Sequence, residues 1–574
     1  MIRFLPAALQ LLILLLPFKT AAQIVADSLD CFYTLPPNTG ISMQVAWTSA
    51  KHKEFAAMIP ITVNLNPQTD SIPELLAQLV TNVGEGRLLF FRGDGPVGVS
   101  PDTLYFPFFH YFMTPVAGDV DLDGIPEIVL NGSDRYIHVF RHYTPGANPP
   151  MEHWITSDLQ VRNIGFRPLL ADMNGDGVPE VVAGDEVFIF DFSDPVAPKL
   201  RKVLDANGYF GANQIYSDQY LSAPAIADIL TPADCGGDPD CNGLEIVAGP
   251  VIYSVDIDTT DGDGFQIKVV WDLNAQVLPD RYGDGYTAVA DLNLDGIPDI
   301  AVDGIKNPNT PNRELGVYVW NKNGFLKFMP RPEPVTSNLN INTGFLTIAN
   351  VFDDRKRGLA RDFPEILSSG NDYLVCQNLH GTSFSNYSAW WYLPVAATHW
   401  GSDATAFDFN GDGYAEIVWG DGRNLRILYG GHLPFPPGVD PERNWASIPN
   451  INYGFENYPV VADVDNDGQA EIAVLVRDSF INSFDDTGWA FRIVESAGLP
   501  WPPSRPIWNQ CTYNIVNVND DASIPAQPQK QWLEYPNPGS DFRPLNMHLG
   551  QLPLLGPNFL PVFPLPDASV SVDS

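Results

Sequence analysis

Short apolar runs separated by acidic turns set the rhythm of this chain. Val460-Val461-Ala462 leads into the stretch Asp463–Glu471, and Ile472-Ala473-Val474-Leu475 follows at once. Both runs are too short for helices and predict strand-loop-strand. The arrangement recurs: Val116-Ala117-Gly118 precedes one acidic turn and Pro126-Glu127-Ile128-Val129 follows it, and Val289-Ala290 and Pro298-Asp299-Ile300-Ala301 flank another. A third run with strand alternation then appears, as Tyr136–Phe140, Val187–Phe190, Val317–Trp320 and Leu425–Tyr429, with Trp154-Ile155 in a fourth. Asn321-Lys322-Asn323-Gly324 reads as a hairpin turn. Ser42–Trp47 alternates as a strand ahead of the first unit and is a candidate to complete the last one.

The turns carry the chemistry. In Asp463-Val464-Asp465-Asn466-Asp467-Gly468-Gln469-Ala470-Glu471, carboxylates stand at positions 1, 3, 5 and 9, with glycine at 6. Calcium takes six to eight oxygens, and a tight loop of alternating acidic residues supplies them, with the glycine permitting the turn. Four further copies keep the spacing: Asp119, Asp121, Asp123 and Glu127; Asp172, Asn174, Asp176 and Glu180; Asp291, Asn293, Asp295 and Asp299; Asp408, Asn410, Asp412 and Glu416. These residues, with Asp463, Asp465, Asp467 and Glu471, are the expected metal ligands, for several calcium ions. No catalytic residue stands out.

Three longer copies depart from the spacing. Asn64 and Asn66 lead through Asp70 to Glu74; Asp228 leads through Asp234, Asp238 and Asp240 to Glu245; Asn350 leads through Asp353 and Asp354 to Glu365. Loop starts at 64, 119, 172, 228, 291, 350, 408 and 463 give a period of 53 to 63 residues. Such a period marks a repeat architecture, with room for four strands per unit. A unit of this kind cannot bury both faces alone, and closing a ring removes the sheet edges. The expected fold is all-β, a β-propeller of about eight four-stranded blades. Seven is the alternative, with the 64–74 segment outside the ring.

Composition sharpens this. Of 574 residues, 69 are acidic and 32 basic, a formal charge of −37. Much of that excess has a local task in the loops, where cations would offset self-repulsion. A phosphate backbone would be repelled, so nucleic acid is excluded as a partner. The 45% hydrophobic and 12% aromatic content speaks against a disordered acidic chain. Residues 1–22 read as a signal peptide, with Arg3, an apolar run from Leu9 to Leu16 and small residues at Thr20-Ala21-Ala22. No later stretch reads as a membrane span. The mature chain is thus expected outside the cell or at its surface, or in a periplasm. Cys235 and Cys241 are expected to bridge within the long fourth loop, and Cys31 with Cys511 to tie the chain ends together; Cys376 is left as a buried thiol.

Other features read more plainly. Arg92-Gly93-Asp94 is a three-residue match to an adhesion motif, and Gly-Asp-Gly is ordinary turn chemistry. His138 reads as a strand residue and not as a base. Asp256, Asp258, Asp261 and Asp263 form an additional acidic cluster. Tyr387, Trp390, Trp391, Tyr392 and Trp400 could pack blades or stack on sugar rings. Asn131 and Asn386 open glycosylation sequons.

The repeated Asp-x-Asp/Asn-x-Asp-Gly-x-Pro-Glu/Asp loops and their flanks resemble the FG-GAP, or VCBS, repeats of integrin-alpha-like β-propellers, over roughly residues 40 to 525. The segments Arg505–Gln510 and Asn517–Asp521 are similar to the end of such propellers in secreted bacterial proteins. Pro566–Val572 resembles the first strand of the Ig-like modules that follow them. The resemblance implies a calcium loop between the first two strands of each blade. It divides the chain into a signal peptide (1–22), the propeller with its closing segment (23–548) and a Pro-rich linker or tail (549–574). It implies a secreted calcium-binding scaffold for cell adhesion or a matrix, binding an extracellular protein or polysaccharide. The second reading is a calcium-dependent polysaccharide-active enzyme, similar in outline to rhamnogalacturonan lyases, which would need a calcium and a base beside the uronate.

Overall fold

The computed structural model describes residues 41–554, with internal breaks of which the longest are 207–221, 332–343, 430–443, 478–487 and 534–545. The expected signal peptide, Cys31 and the chain beyond 554 lie outside the described residues. Eight antiparallel sheets follow one another in chain order. Blade 1 is Ile61–Val63, Glu74–Val80, Gly86–Arg92 and Asp102–Phe106, with Phe55–Ala56 added beside its second strand. Blades 2 to 7 begin with the inner strands Val116–Gly118, Pro168–Ala171, Ala225–Ala227, Tyr286–Ala290, Leu346–Ala349 and Ala404–Phe407. Blade 8 is Val460–Ala462, Glu471–Arg477 and Trp489–Ser496, and its fourth strand is Met43–Thr48 from the other end of the chain. The 64–74 loop joins two paired strands of blade 1, so the ring has eight blades and the seven-blade alternative is discarded.

The pattern of residues explains the layering. Inner strands lie between neighbours on both sides and are buried along their length, so they read as continuous apolar runs instead of alternating ones. They converge on the axis and use small residues. A Cβ at Gly118 would lie 2.7 Å from Leu170 of the next blade. Outer strands such as Lys199–Asp205 and Gln266–Asp272 are charged and half-buried. Two short 3-10 turns, Leu273–Ala275 and Asp354–Arg357, are the helical elements among the described residues.

Each inner strand leaves one edge facing the axis, and the C-terminal segment satisfies those edges one after another. The Arg505 carbonyl accepts from Asp463 in blade 8, and Trp508 exchanges two backbone hydrogen bonds with Thr62 in blade 1. Asn509 meets Ala117 in blade 2, Gln510 meets Leu170 in blade 3, and Lys530 pairs with Asp228 of blade 4. Asn546 clamps the backbone of Asp291 in blade 5, His548 pairs with Ile348 in blade 6, and Leu549 and Gln551 hold Ala406 in blade 7. The segment is bonded to itself as far as Leu554, whose N–H donates to the Pro503 carbonyl. At the axis Tyr286, Phe345, Tyr458, Trp508 and Tyr513 form a chain of ring contacts 4.2 to 6.0 Å apart. The Arg167 guanidinium lies over two of those rings. This plug occupies the channel that a propeller encloses, with a cavity left between it and the inner strands of blades 3 to 5, lined by Leu170, Ala227, Val289, Gln510 and His548.

Candidate metal centres

The five regular loops share one backbone path between the first and second strands of their blades. The position-6 N–H donates to the position-1 carboxylate in each: Gly124 to Asp119 at 2.9 Å, Gly177 to Asp172 at 2.7 Å, Gly296 to Asp291 at 2.7 Å, Gly413 to Asp408 at 2.8 Å and Gly468 to Asp463 at 3.0 Å. These glycines have φ between +84° and +92°, the region that a side chain disfavours. Position 4 is also left-handed, at Leu122, Gly175, Leu294, Gly411 and Asn466. Two such turns fold the loop back on itself, and in loops 2 and 8 the carboxylates of positions 1, 3 and 9 come together.

One hydrogen bond is common to all eight loops. The carboxylate that opens the second strand accepts the N–H just after the first loop position. It joins Leu65 to Glu74, Val120 to Glu127, Met173 to Glu180, Ile229 to Glu245, Leu292 to Asp299, Val351 to Glu365, Phe409 to Glu416 and Val464 to Glu471, at 2.7 to 3.1 Å. The three irregular sequences therefore keep the frame of the regular ones.

The placing of the carboxylates then separates the loops. In loops 2 and 8, Asp119, Asp121 and Glu127, and Asp463, Asp465 and Glu471, bring carboxylate oxygens within 4.8 Å of one another. Burial, helped by the neighbouring carboxylates, raises Glu127 to about 9 and Asp463 to about 7, and Glu471 rises well above its ordinary value. Fully buried Glu127 keeps Oε1, and buried Asp463 keeps Oδ1, without a hydrogen-bond partner. An orphaned carboxylate oxygen among like charges fits a hard divalent cation. Loops 3, 5 and 7 have asparagine at position 3. Its amide already donates to a carboxylate: Asn174 to Asp176 at 3.2 Å, Asn293 to Asp295 at 2.8 Å and Asn410 to Glu416 at 2.8 Å. Burial still raises Glu180 to about 9 and Asp291 to about 6.

The irregular loops hold basic side chains instead. Arg92 reaches Asp70 at 2.5 Å and Asp94 at 2.7 Å. The arginine of the Arg-Gly-Asp stretch is thus engaged within blade 1. The stretch is also pinned at its centre, because a Cβ on Gly93 would fall 1.5 Å from the Val464 carbonyl oxygen. In loop 4, Lys530 pairs with Asp228 and Lys322 with Asp234, both at 2.9 Å. In loop 6, Arg355 lies 3.0 Å from Asp362 and 3.8 Å from Asp353.

Cys235 and Cys241 form the expected disulfide, and Cys376 is buried. Cys511 is a buried free thiol, raised to about 11 by desolvation, and the Tyr458 hydroxyl donates to its carbonyl. Its expected partner Cys31 is among the residues not described. Asp256 is buried on its strand, while Asp238, Asp240, Asp258, Asp261, Asp263 and Trp400, and the side chains of Tyr387, Trp390, Trp391 and Tyr392, lie outside the described residues.

His138 is a strand residue as expected, yet it has a histidine neighbour that the sequence concealed. His153 on the next strand lies 3.2 Å away, Asp134 3.1 Å and Thr156 3.3 Å. Burial lowers both histidines. Sequon residue Asn131 is fully buried and donates to the Asn163 and Phe166 carbonyls, which leaves it no room for a glycan. Hairpin register would have shown the histidine pair; nothing local marks the burial of Asn131.

A family model described as an FG-GAP-like repeat matches residues 119–183, which span loops 2 and 3. No curated protein matches the sequence. Among solved structures, the crystal structure of the V. cholerae biofilm matrix protein Bap1 is similar over 90% of this chain and 100% of that one, at 15% identity and a TM-score of 0.56. The BBS1N chain crystallised with ARL6DN aligns over 79% of this chain and 96% of its own, at 10% identity and a TM-score of 0.37.

Proposed function

We propose that this chain, an eight-bladed β-propeller of FG-GAP-like repeats, is a secreted scaffold whose loops bind calcium and whose faces bind an extracellular protein or polysaccharide in a matrix or at a surface. The observation that carries the reading is the set of orphaned, buried carboxylate oxygens in the loops. Such a cluster is costly by itself and is relieved by a hard divalent cation. The position-1, -3, -5 and -9 residues of the regular loops would hold the ion, which would supply charge neutralisation and a rigid turn. Likeness in fold to Bap1, a biofilm matrix protein, agrees with a matrix scaffold. Function still depends on the site and not on the fold.

The test is binding of the purified mature chain to a panel of extracellular polysaccharides and matrix proteins, in millimolar calcium and in chelator. Calcium-dependent, saturable binding without change to the polymer is expected. Release of ultraviolet-absorbing unsaturated sugars would replace the scaffold with the lyase reading.

A further inference from the structure

We propose that the eight loops form three classes of cation site. Loops 2 and 8 take a divalent cation most tightly, and loops 3, 5 and 7 less tightly. Loops 1, 4 and 6 take none, because Arg92, Lys530 with Lys322, and Arg355 of this chain occupy that electrostatic role. The inference rests on the proposed calcium binding of the regular loops and goes beyond it in saying which blades need the metal.

Ligand chemistry sets the order. Loops 2 and 8 offer four carboxylates each, at Asp119, Asp121, Asp123 and Glu127 and at Asp463, Asp465, Asp467 and Glu471. These are the two loops where three carboxylates converge within 4.8 Å among the described residues, and where a buried oxygen of Glu127 or Asp463 lacks a partner. The other three regular loops replace one carboxylate with an amide. That amide donates its N–H to a neighbouring ligand carboxylate, a bond that a cation must compete with. Affinity in oxygen-ligand sites follows the number of charged ligands.

Loops 1 and 4 are closed by basic residues from outside their own sequence, and loop 6 by one within it. In loop 1 two positions are amides, Asn64 and Asn66, and Asn64 donates to the Asp70 carbonyl. Of its two acids, Asp70 is held by Arg92 from the third strand of the blade, and Glu74 accepts the Leu65 N–H. In loop 4 one lysine arrives from the next blade and one from the C-terminal segment. In loop 6 the ion pair is made by Arg355, within the 3-10 turn that lengthens the loop. A positive group paired with the acids, at 2.5 to 3.0 Å from Asp70, Asp228, Asp234 and Asp362 and 3.8 Å from Asp353, repels a second cation and supplies the neutralisation itself. The longer spacing of these three loops is thus the mark of a changed counter-ion.

The two tight sites flank blade 1, and one of them lies in blade 8, where the N-terminal strand closes the ring. Loop 8 sits against that blade: the Val464 carbonyl abuts Gly93, and Asn466 donates to Ser71 at 2.8 Å. The Asp463 N–H donates to Arg505 at the start of the C-terminal wrap. A cation in loop 8 therefore fastens last blade, first blade and wrap together.

The experiment is a calcium titration of the mature chain followed by native mass spectrometry. Saturation at five ions is expected, two of them binding at roughly tenfold lower free calcium. Asp121→Asn and Asp465→Asn give loops 2 and 8 the amide of the weaker class, and the double variant should fill in one step while still reaching five. Asp70→Asn should leave the count at five, and Asp467→Asn should weaken one of the two tight ions. Saturation at eight, or loss of an ion in Asp70→Asn, overturns the assignment while calcium binding stands. Binding of no calcium at all overturns both.

Discussion

Replacing Glu127 with glutamine should change stability in opposite directions with and without calcium. The side chain is fully buried, accepts the Val120 N–H through Oε2 at 3.0 Å and leaves Oε1 unpartnered beside Asp119 and Asp121. Its carboxyl rises from 4.5 to about 9, chiefly through burial and then through the Asp121 charge. In the metal-free protein this contribution to stability is complete below pH 4.5 and is lost as pH rises toward 9, because the unfolded chain releases the proton first. At pH 7 the loss is about 3 kcal/mol, at 1.36 kcal/mol per pH unit. Glutamine has no proton to lose. Its carbonyl keeps the Val120 bond, and its amide faces the two aspartates, as Asn321 already faces Asp299 in blade 5. In chelator at pH 7, Glu127→Gln is therefore expected to raise the melting temperature by a few degrees. In calcium at a hundred times the site's dissociation constant, the same change forfeits about 2.7 kcal/mol of ligand-linked stability and lowers it. The assay is a pair of thermal scans, with and without calcium, on wild type and variant. A shift of the same sign in both media would refute the reasoning.

His548 predicts an acid limb: full burial lowers it from 6.5 to about 4, so stability present above pH 6.5 falls by about 3 kcal/mol as pH drops to 4. His548→Gln should flatten urea midpoints across that window, and an unchanged slope would count against it. Truncation after His548 removes Leu549 and Gln551, both fully buried and bonded to blade 7 and to Ile507. It should lower the melting temperature clearly, whereas truncation after Leu554 should not. Equal melting for the two truncations would show that this stretch adds nothing to the ring.

Much of the ring was legible because its grammar is local. A carboxylate at position 1, glycine at 6 and an acid at 9 each answer a backbone need within nine residues, so the loops and their order could be read directly, while the choice between eight blades and seven needed the pairing of the strands on either side of the 64–74 loop. The alternation of Ser42–Trp47 marked a strand ahead of the first unit, a candidate to complete the last blade, which the pairing of Met43–Thr48 bears out. Distant pairings were hidden. Asp70 and Arg92 are brought together by strand register, and Asp228 and Lys530 meet only because the C-terminal segment circles the axis. That segment follows eight differently placed strand edges, so its sequence has no period. The left-handed turn at position 4 was masked by Leu122 and Leu294, residue types that do not announce it. The cost of those turns is consistent with loops that are held open for a ligand.

The most direct test is a crystal structure of the mature protein grown in millimolar calcium, with anomalous difference density read at every loop. The account predicts peaks within 2.3–2.6 Å of the ligand oxygens, strongest beside Glu127 Oε1 and Asp463 Oδ1. Empty loops 2 and 8 at saturating calcium, with their carboxylates bonded to water alone, would contradict it.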